Sequence, residues 1–74
     1  MIVVTGALGF IASCLISKLN TDGFNEIVAV DDFSPATLFR KRNLNDKQIS
    51  KYINIEKFPE WLEDNQINVY FIFH

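Results

Sequence analysis

Between a β-branched run, Ile2-Val3-Val4-Thr5, and a helical pattern that begins at Phe10 stands Gly6-Ala7-Leu8-Gly9-Phe10-Ile11-Ala12, a Gly-x-x-Gly-x-x-Ala turn. A short apolar run stopped by glycine is the pattern of a strand buried on both faces. Phe10, Ile11, Cys14, Leu15, Ile16 and Leu19 then recur at helical spacing, and Thr21-Asp22-Gly23 ends them with a residue that tolerates a left-handed backbone. Strand, glycine-rich turn and helix in that order leave few folds open. Gly6 lets the chain turn tightly off the strand, Gly9 removes a Cβ so that backbone N–H groups can approach a ligand, and Ala12 lets the helix pack close to the strand. With the positive end of the helix dipole added, the turn is suited to the pyrophosphate of a dinucleotide.

The rest of the chain extends the same alternation. Ile27-Val28-Ala29-Val30 is a second buried strand, ended by Asp31-Asp32. Ser34-Pro35 is a helix-start pair, with Ser as N-cap and Pro at the first helical position. Leu38, Phe39 and Leu44 among Arg40, Lys41 and Arg42 make either a weak amphipathic helix or an irregular loop. Tyr52-Ile53-Asn54-Ile55 is a third strand, Phe58, Trp61 and Leu62 form a helical stripe that Pro59 can open, and Val69-Tyr70-Phe71-Ile72-Phe73 is a fourth strand. The order β-α-β-(α)-β-α-β predicts a parallel sheet with strand order 3-2-1-4 and helices on both faces. The fold class is α/β, the N-terminal half of a Rossmann-type doubly wound sheet, occupying residues 1–74.

Composition excludes the competing classes. One Cys and one His among 74 residues allow neither an internal disulfide nor a four-ligand zinc set. A 14% aromatic content is too apolar for disorder. Net charge is −2, and no basic face is available to displace counterions from nucleic acid. The apolar runs are far shorter than the ~20 residues that span a bilayer. Met1-Ile2-Val3-Val4 lacks the basic start of a signal peptide, so a cytoplasmic location is expected, with no membrane or nucleic-acid partner.

Asp31 follows the second strand about 20 residues beyond the glycines, where a carboxylate accepts hydrogen bonds from the adenosine ribose. A carboxylate there favours NAD, whereas Arg40 and Lys41 can offset it and admit the 2′-phosphate of NADP. The residues themselves leave that choice open, and the basic triplet is equally well a solvated face. His74 stands at the carboxyl end of the fourth strand, where a structural role is the default. Cys14 is expected to be a buried small hydrophobe, Trp61 a core residue, and Glu56, Glu60, Glu63 and Asp64 dipole-complementing or solvated carboxylates.

From Val3 to Ser13 the wording Thr-Gly-x-x-Gly-Phe-Ile-x-Ser resembles the N-terminus of the extended short-chain dehydrogenase/reductases, the group of sugar-nucleotide epimerases and dehydratases. Within that group, Met-Ile-Val-Val-Thr-Gly, Val30-Asp31-Asp32-Phe33 and Ile72-Phe73-His74 most resemble the ADP-heptose 6-epimerase family, over about the first quarter of a typical member. The resemblance implies a dinucleotide, NADP with NAD as the alternative. It places Gly6, Gly9, Phe10 and Ile11 along the pyrophosphate and Asp31 and Asp32 at the ribose. It also implies C6″ epimerisation of an ADP-activated heptose for lipopolysaccharide core synthesis, with a nucleotide-sugar substrate and a homo-oligomer in the full-length protein. Two departures concern the 2′-phosphate. Leu38 stands where the family carries a lysine, with Arg40 or Lys41 as substitutes, and Ile53 stands at a second lysine position, with Lys51 nearby.

No Tyr-x-x-x-Lys occurs: Glu56 follows Tyr52 at that spacing and His74 follows Tyr70. The family's acid/base pair is therefore missing, and the 74-residue chain is expected to be catalytically inactive, lacking both catalytic segment and substrate domain. The alternatives are a piece of another sugar-nucleotide epimerase or dehydratase, or a nucleotide-binding module without chemistry. The apolar fourth strand, open along one edge, predicts marginal folding and aggregation.

Overall fold

In the computed structural model, which describes residues 1–34 and 38–73 without the side chains of Leu38, Phe39 and Lys41, the sheet is built outward from β1, Ile2–Thr5. α1 spans Phe10–Thr21 and β2 Ile27–Asp31, followed by a 3-10 helix at Leu38–Leu44. β3 is Lys51–Asn54, α2 is Phe58–Asn65 with 3-10 turns on either side, and β4 is Phe71–Phe73. The strand order is β3-β2-β1-β4 and every pairing is parallel, the architecture of the N-terminal half of a Rossmann-type sheet.

Alternation along the strands sorts the core into two layers. Ile2, Val4, Ile27 and Ala29 face α1 and pack with Ile16, Ala7, Leu8 and Leu44. Val3, Val28, Val30 and Ile53 face the other way and are covered by Phe58 and Trp61 of α2 and by Val69. Phe58 and Trp61 stack at 6.2 Å between ring centroids, so Trp61 serves packing, as its stripe suggests. Pro59 lies in the first turn of α2, where no N–H is needed.

α1 ends at the expected glycine. Gly23 has φ 93°, and the Phe24 N–H returns to the Leu19 carbonyl at 2.8 Å. Its buried seam differs from expectation. Ser13 and Ile16 are buried, with Ala12, Leu15 and Leu19 packed alongside, whereas Cys14 is exposed. A helix turns about 100° per residue, so seating the smaller Ala12 and Ser13 against the sheet swings Phe10, Ile11 and Cys14 outward.

β3 begins and ends one residue earlier than its pattern suggests, and β4 is shorter. Before β4, Gln66–Asn68 forms a 3-10 turn closed by the Val69 N–H on the Gln66 carbonyl, and the Tyr70 N–H donates to the Met1 carbonyl at 2.8 Å. The segment around Arg40 is a 3-10 helix, anchored by buried Leu44. Of the helix-start pair, Pro35 lies outside the described residues. Among the described residues no helix is long and apolar enough to cross a membrane.

Candidate functional site

The glycine turn leaves the carboxyl end of β1 through Gly6, at φ 64°, a left-handed conformation that any Cβ would strain. Space is not the constraint there, since a Cβ on Gly6 would meet nothing within 4 Å. At Gly9 the reverse holds. A Cβ would stand 3.2 Å from the Gly6 carbonyl oxygen, and the Gly9 N–H donates to that same oxygen at 3.0 Å. The absent side chain of Gly9 thus serves the turn itself, and its N–H is used within it.

The loop is held from several directions. The Ala7 N–H donates to the Val30 carbonyl at 3.2 Å, and the side chains of Ala7 and Leu8 are fully buried. The Leu8 N–H donates to Asp31 Oδ2 at 2.9 Å, and Asn43 Nδ2 donates to the Leu8 carbonyl at 3.1 Å.

Gly9 is the N-cap of α1, with extended backbone, and no side chain caps the helix. Its carbonyl accepts the Ser13 N–H at 2.9 Å. The N–H groups of Phe10, Ile11 and Ala12 therefore have no acceptor within the helix, and they carry the positive end of its dipole. The side chains of Phe10 and Ile11 are 78% and 84% exposed, leaving the backbone of this turn approachable. A cavity of ≈ 490 Å³ opens beside it, lined by Thr5, Gly6, Gly9, Phe10, Ile11 and Phe73 among others, within the range of ligand clefts. Thr5 Oγ1 donates to the Phe73 carbonyl at 3.0 Å and ties the ends of β1 and β4 at this edge. A second cavity, ≈ 420 Å³, lies at the amino ends of the strands around Met1, Phe24 and Tyr70, away from the glycine turn.

Asp31 ends β2 half-buried. Its Oδ1 accepts the Asp32 N–H at 2.6 Å and its Oδ2 accepts the Leu8 N–H. A carboxylate offers about four lone-pair sites, so each oxygen retains capacity for a further donor such as a ribose hydroxyl. Asp32 is exposed beside Ser34, whose Oγ lies 3.4 Å from Asp32 Oδ2. Gly6, Gly9, Phe10, Ile11 and Asp31 are thus brought to one sheet edge, with Asp32 adjoining.

Arg40 is exposed on the 3-10 helix that also carries Lys41, and Asn43 links that helix to the loop. Lys51 is placed differently. It pairs with Val28 at the amino end of β3, while Asn54 is the β3 residue beside Asp31. His74 lies outside the described residues. Among the described residues no group of three His, Cys, Asp or Glu side chains is placed to hold a metal ion. Sequence pattern missed two residues, Asn43 and buried Ser13, whose Oγ donates to the Phe10 carbonyl at 2.8 Å. Ser13 closes the Thr-Gly-x-x-Gly-Phe-Ile-x-Ser wording but nothing in that wording shows that it is buried, and Asn43 carries no signal in its spacing, because it acts on a backbone carbonyl from a distant segment.

No family model matches the chain. Over 59 residues, 80% of the chain, it is 46% identical to the ADP-L-glycero-D-manno-heptose-6-epimerases of Pseudomonas aeruginosa strains PAO1 and UCBPP-PA14 and of Pseudomonas paraeruginosa strain PA7. The chain spans 17% of the length of these curated relatives. The similarity relates it to ADP-heptose 6-epimerases.

Proposed function

We propose that this chain is the dinucleotide-binding N-terminal segment of an ADP-heptose 6-epimerase, acting on ADP-glycero-manno-heptose for lipopolysaccharide core synthesis. The observation that carries the reading is the uncapped first turn of α1, entered through a left-handed Gly6 and flanked by a carboxylate at the end of β2. A pyrophosphate suits that turn because the N–H groups of Phe10, Ile11 and Ala12 are first-turn donors with no acceptor within the helix and no side-chain cap. Asp31 receives the adenosine ribose on its remaining lone pairs, with Asp32 adjoining. The exposed Arg40, with Lys41 on the same 3-10 helix, supplies positive charge for a 2′-phosphate, so NADP is the preferred cofactor and NAD the alternative.

A bound nicotinamide would supply reversible hydride acceptance. The residues of this chain bind and orient it, and they move no proton, because no Tyr-x-x-x-Lys pair stands in the sequence. Proton transfer and selection of the nucleotide-sugar belong on this reading to the remaining length of the parent enzyme, which would cover the exposed Phe71 and Phe73 of β4 and assemble as a homo-oligomer.

Calorimetric titration of the chain with NADP, NAD, ADP and adenosine tests the reading. The expected order is NADP tightest, with ADP binding more tightly than adenosine because the phosphates engage the helix turn. A folded chain that binds none of them would sink it. Binding of ADP with no preference between NAD and NADP would retain the site and remove the role given to Arg40 and Lys41.

A further inference from the structure

We infer that Asn43 is a positioning residue for the phosphate-binding turn, acting through the Leu8 carbonyl; this rests on the dinucleotide reading above. Asn43 belongs to the 3-10 helix Leu38–Leu44, far from the glycine motif in sequence, yet its Nδ2 donates to the Leu8 carbonyl oxygen at 3.1 Å. The neighbouring Leu44 is 1% exposed within the α1-side core, which fixes where that segment can stand.

The consequence follows from peptide geometry. The Leu8 carbonyl and the Gly9 N–H belong to one planar trans peptide and point in opposite directions. Holding the carbonyl from the Asn43 side directs the Gly9 N–H onto the Gly6 oxygen, where it is found at 3.0 Å. Gly9 is also the N-cap, and its own carbonyl takes the Ser13 N–H at 2.9 Å, so its orientation sets the first turn of α1. Asp31 holds the peptide on the other side of Leu8 through the Leu8 N–H. The two side chains together fix both peptides flanking Leu8, and the Phe10 and Ile11 N–H groups are aimed by the pair. Freed from Asn43, the Leu8–Gly9 peptide can rotate, the Gly9 N–H competes for the same anion or for water, and the donors lose their common focus.

The test compares wild type with Asn43→Asp and Asn43→Ala by calorimetric titration against ADP and against adenosine, with thermal melting by circular dichroism. Asp is nearly isosteric but turns an acceptor toward the Leu8 oxygen, whereas Ala only removes the donor. ADP binding is expected to weaken about tenfold in Asn43→Asp and roughly threefold in Asn43→Ala, the scale of one net hydrogen bond. Adenosine binding to the folded chain should stay at its wild-type value, melting should fall only as far as one lost hydrogen bond accounts for, and the Gly9 amide resonance should shift in both variants. A merely structural role would weaken ADP and adenosine binding alike, and that result would overturn the inference. Unchanged ADP affinity in Asn43→Asp beside a binding wild type would overturn it while leaving the dinucleotide site intact. Failure of wild type to bind ADP would overturn both.

Discussion

β1 has a neighbour on each side, and the two are treated differently. β2 pairs with β1 in parallel register and its residues Ile27 to Val30 are at most 1% exposed. β4 pairs with β1 in the same parallel manner, yet Phe71, Ile72 and Phe73 are 63%, 37% and 36% exposed. Backbone pairing is thus common to both sides, and burial is not. α1 and α2 cover the β1–β2 half, and the same division runs along α1, where Ser13 and Ile16 face the covered half while Phe10, Ile11 and Cys14 face outward. A parallel ladder places a strand, and a covering layer is what makes it contribute to the core. The candidate site lies at the seam between the halves, held by covered residues and opening toward uncovered ones.

The largest expected effect tests that division directly. Ile27→Ala removes a fully buried side chain from the β1–β2 half and should destabilise the fold by about 2–5 kcal/mol, the range for such truncations in a packed core. Ile72→Ala, at a position 37% exposed, should lose less, about 1–2 kcal/mol, because less apolar surface returns to water. Urea denaturation followed through Trp61 fluorescence and far-ultraviolet circular dichroism measures both. Equal losses would mean that β4 is covered in solution, by a second copy or by association, and concentration dependence of the transition would identify that case.

Much of this architecture is legible in the sequence, for reasons that differ by element. β1, β2 and α2 carry apolar runs or stripes whose period allows one arrangement, and Gly6 and Gly23 mark the positions that do adopt positive φ. Alternation gives the parallel sheet, and the glycine turn after β1, which marks the nucleotide-binding doubly wound type, adds the strand order β3-β2-β1-β4. The rotation of α1 is not legible, because Phe10, Ile11, Cys14, Leu15, Ile16 and Leu19 fit several faces, and only packing against the sheet selects the one through Ser13 and Ile16. The site divides in the same way. Its glycines and Asp31 stand at recognisable spacing, whereas Asn43 reaches Leu8 across a segment whose pattern allowed either helix or loop.

A smaller effect separates the seam from the rest of the covered half. Gly6 and Gly23 both have positive φ, at 64° and 93°, and a Cβ at either would meet no atom within 4 Å. Alanine at each should therefore destabilise by a similar conformational term, about 1–2 kcal/mol. Only Gly6 lies in the turn that leads to the first-turn donors. Gly6→Ala should also weaken ADP binding, while Gly23→Ala should leave it unchanged in the folded fraction. Paired melting curves and titrations decide this, and equal loss of ADP affinity in both variants would remove the special place given to the glycine turn.

The smallest effect concerns α1 alone and separates its two faces without disturbing either. Cys14 is exposed and Ser13 is 7% exposed, although they are adjacent in the chain. Iodoacetamide should modify Cys14 in the native protein at close to its rate in the urea-unfolded chain, since nothing covers it. In a Ser13→Cys, Cys14→Ala variant the thiol is turned into the α1–sheet seam, and modification then waits on local opening of the helix. Protection is expected to track the stability of the covered half, so adding Ile27→Ala should speed labelling at position 13 while leaving that at Cys14 unchanged. Slow native labelling of Cys14 itself would show that the outward face of α1 is covered in solution, and would place Phe10 and Ile11 beneath the same cover.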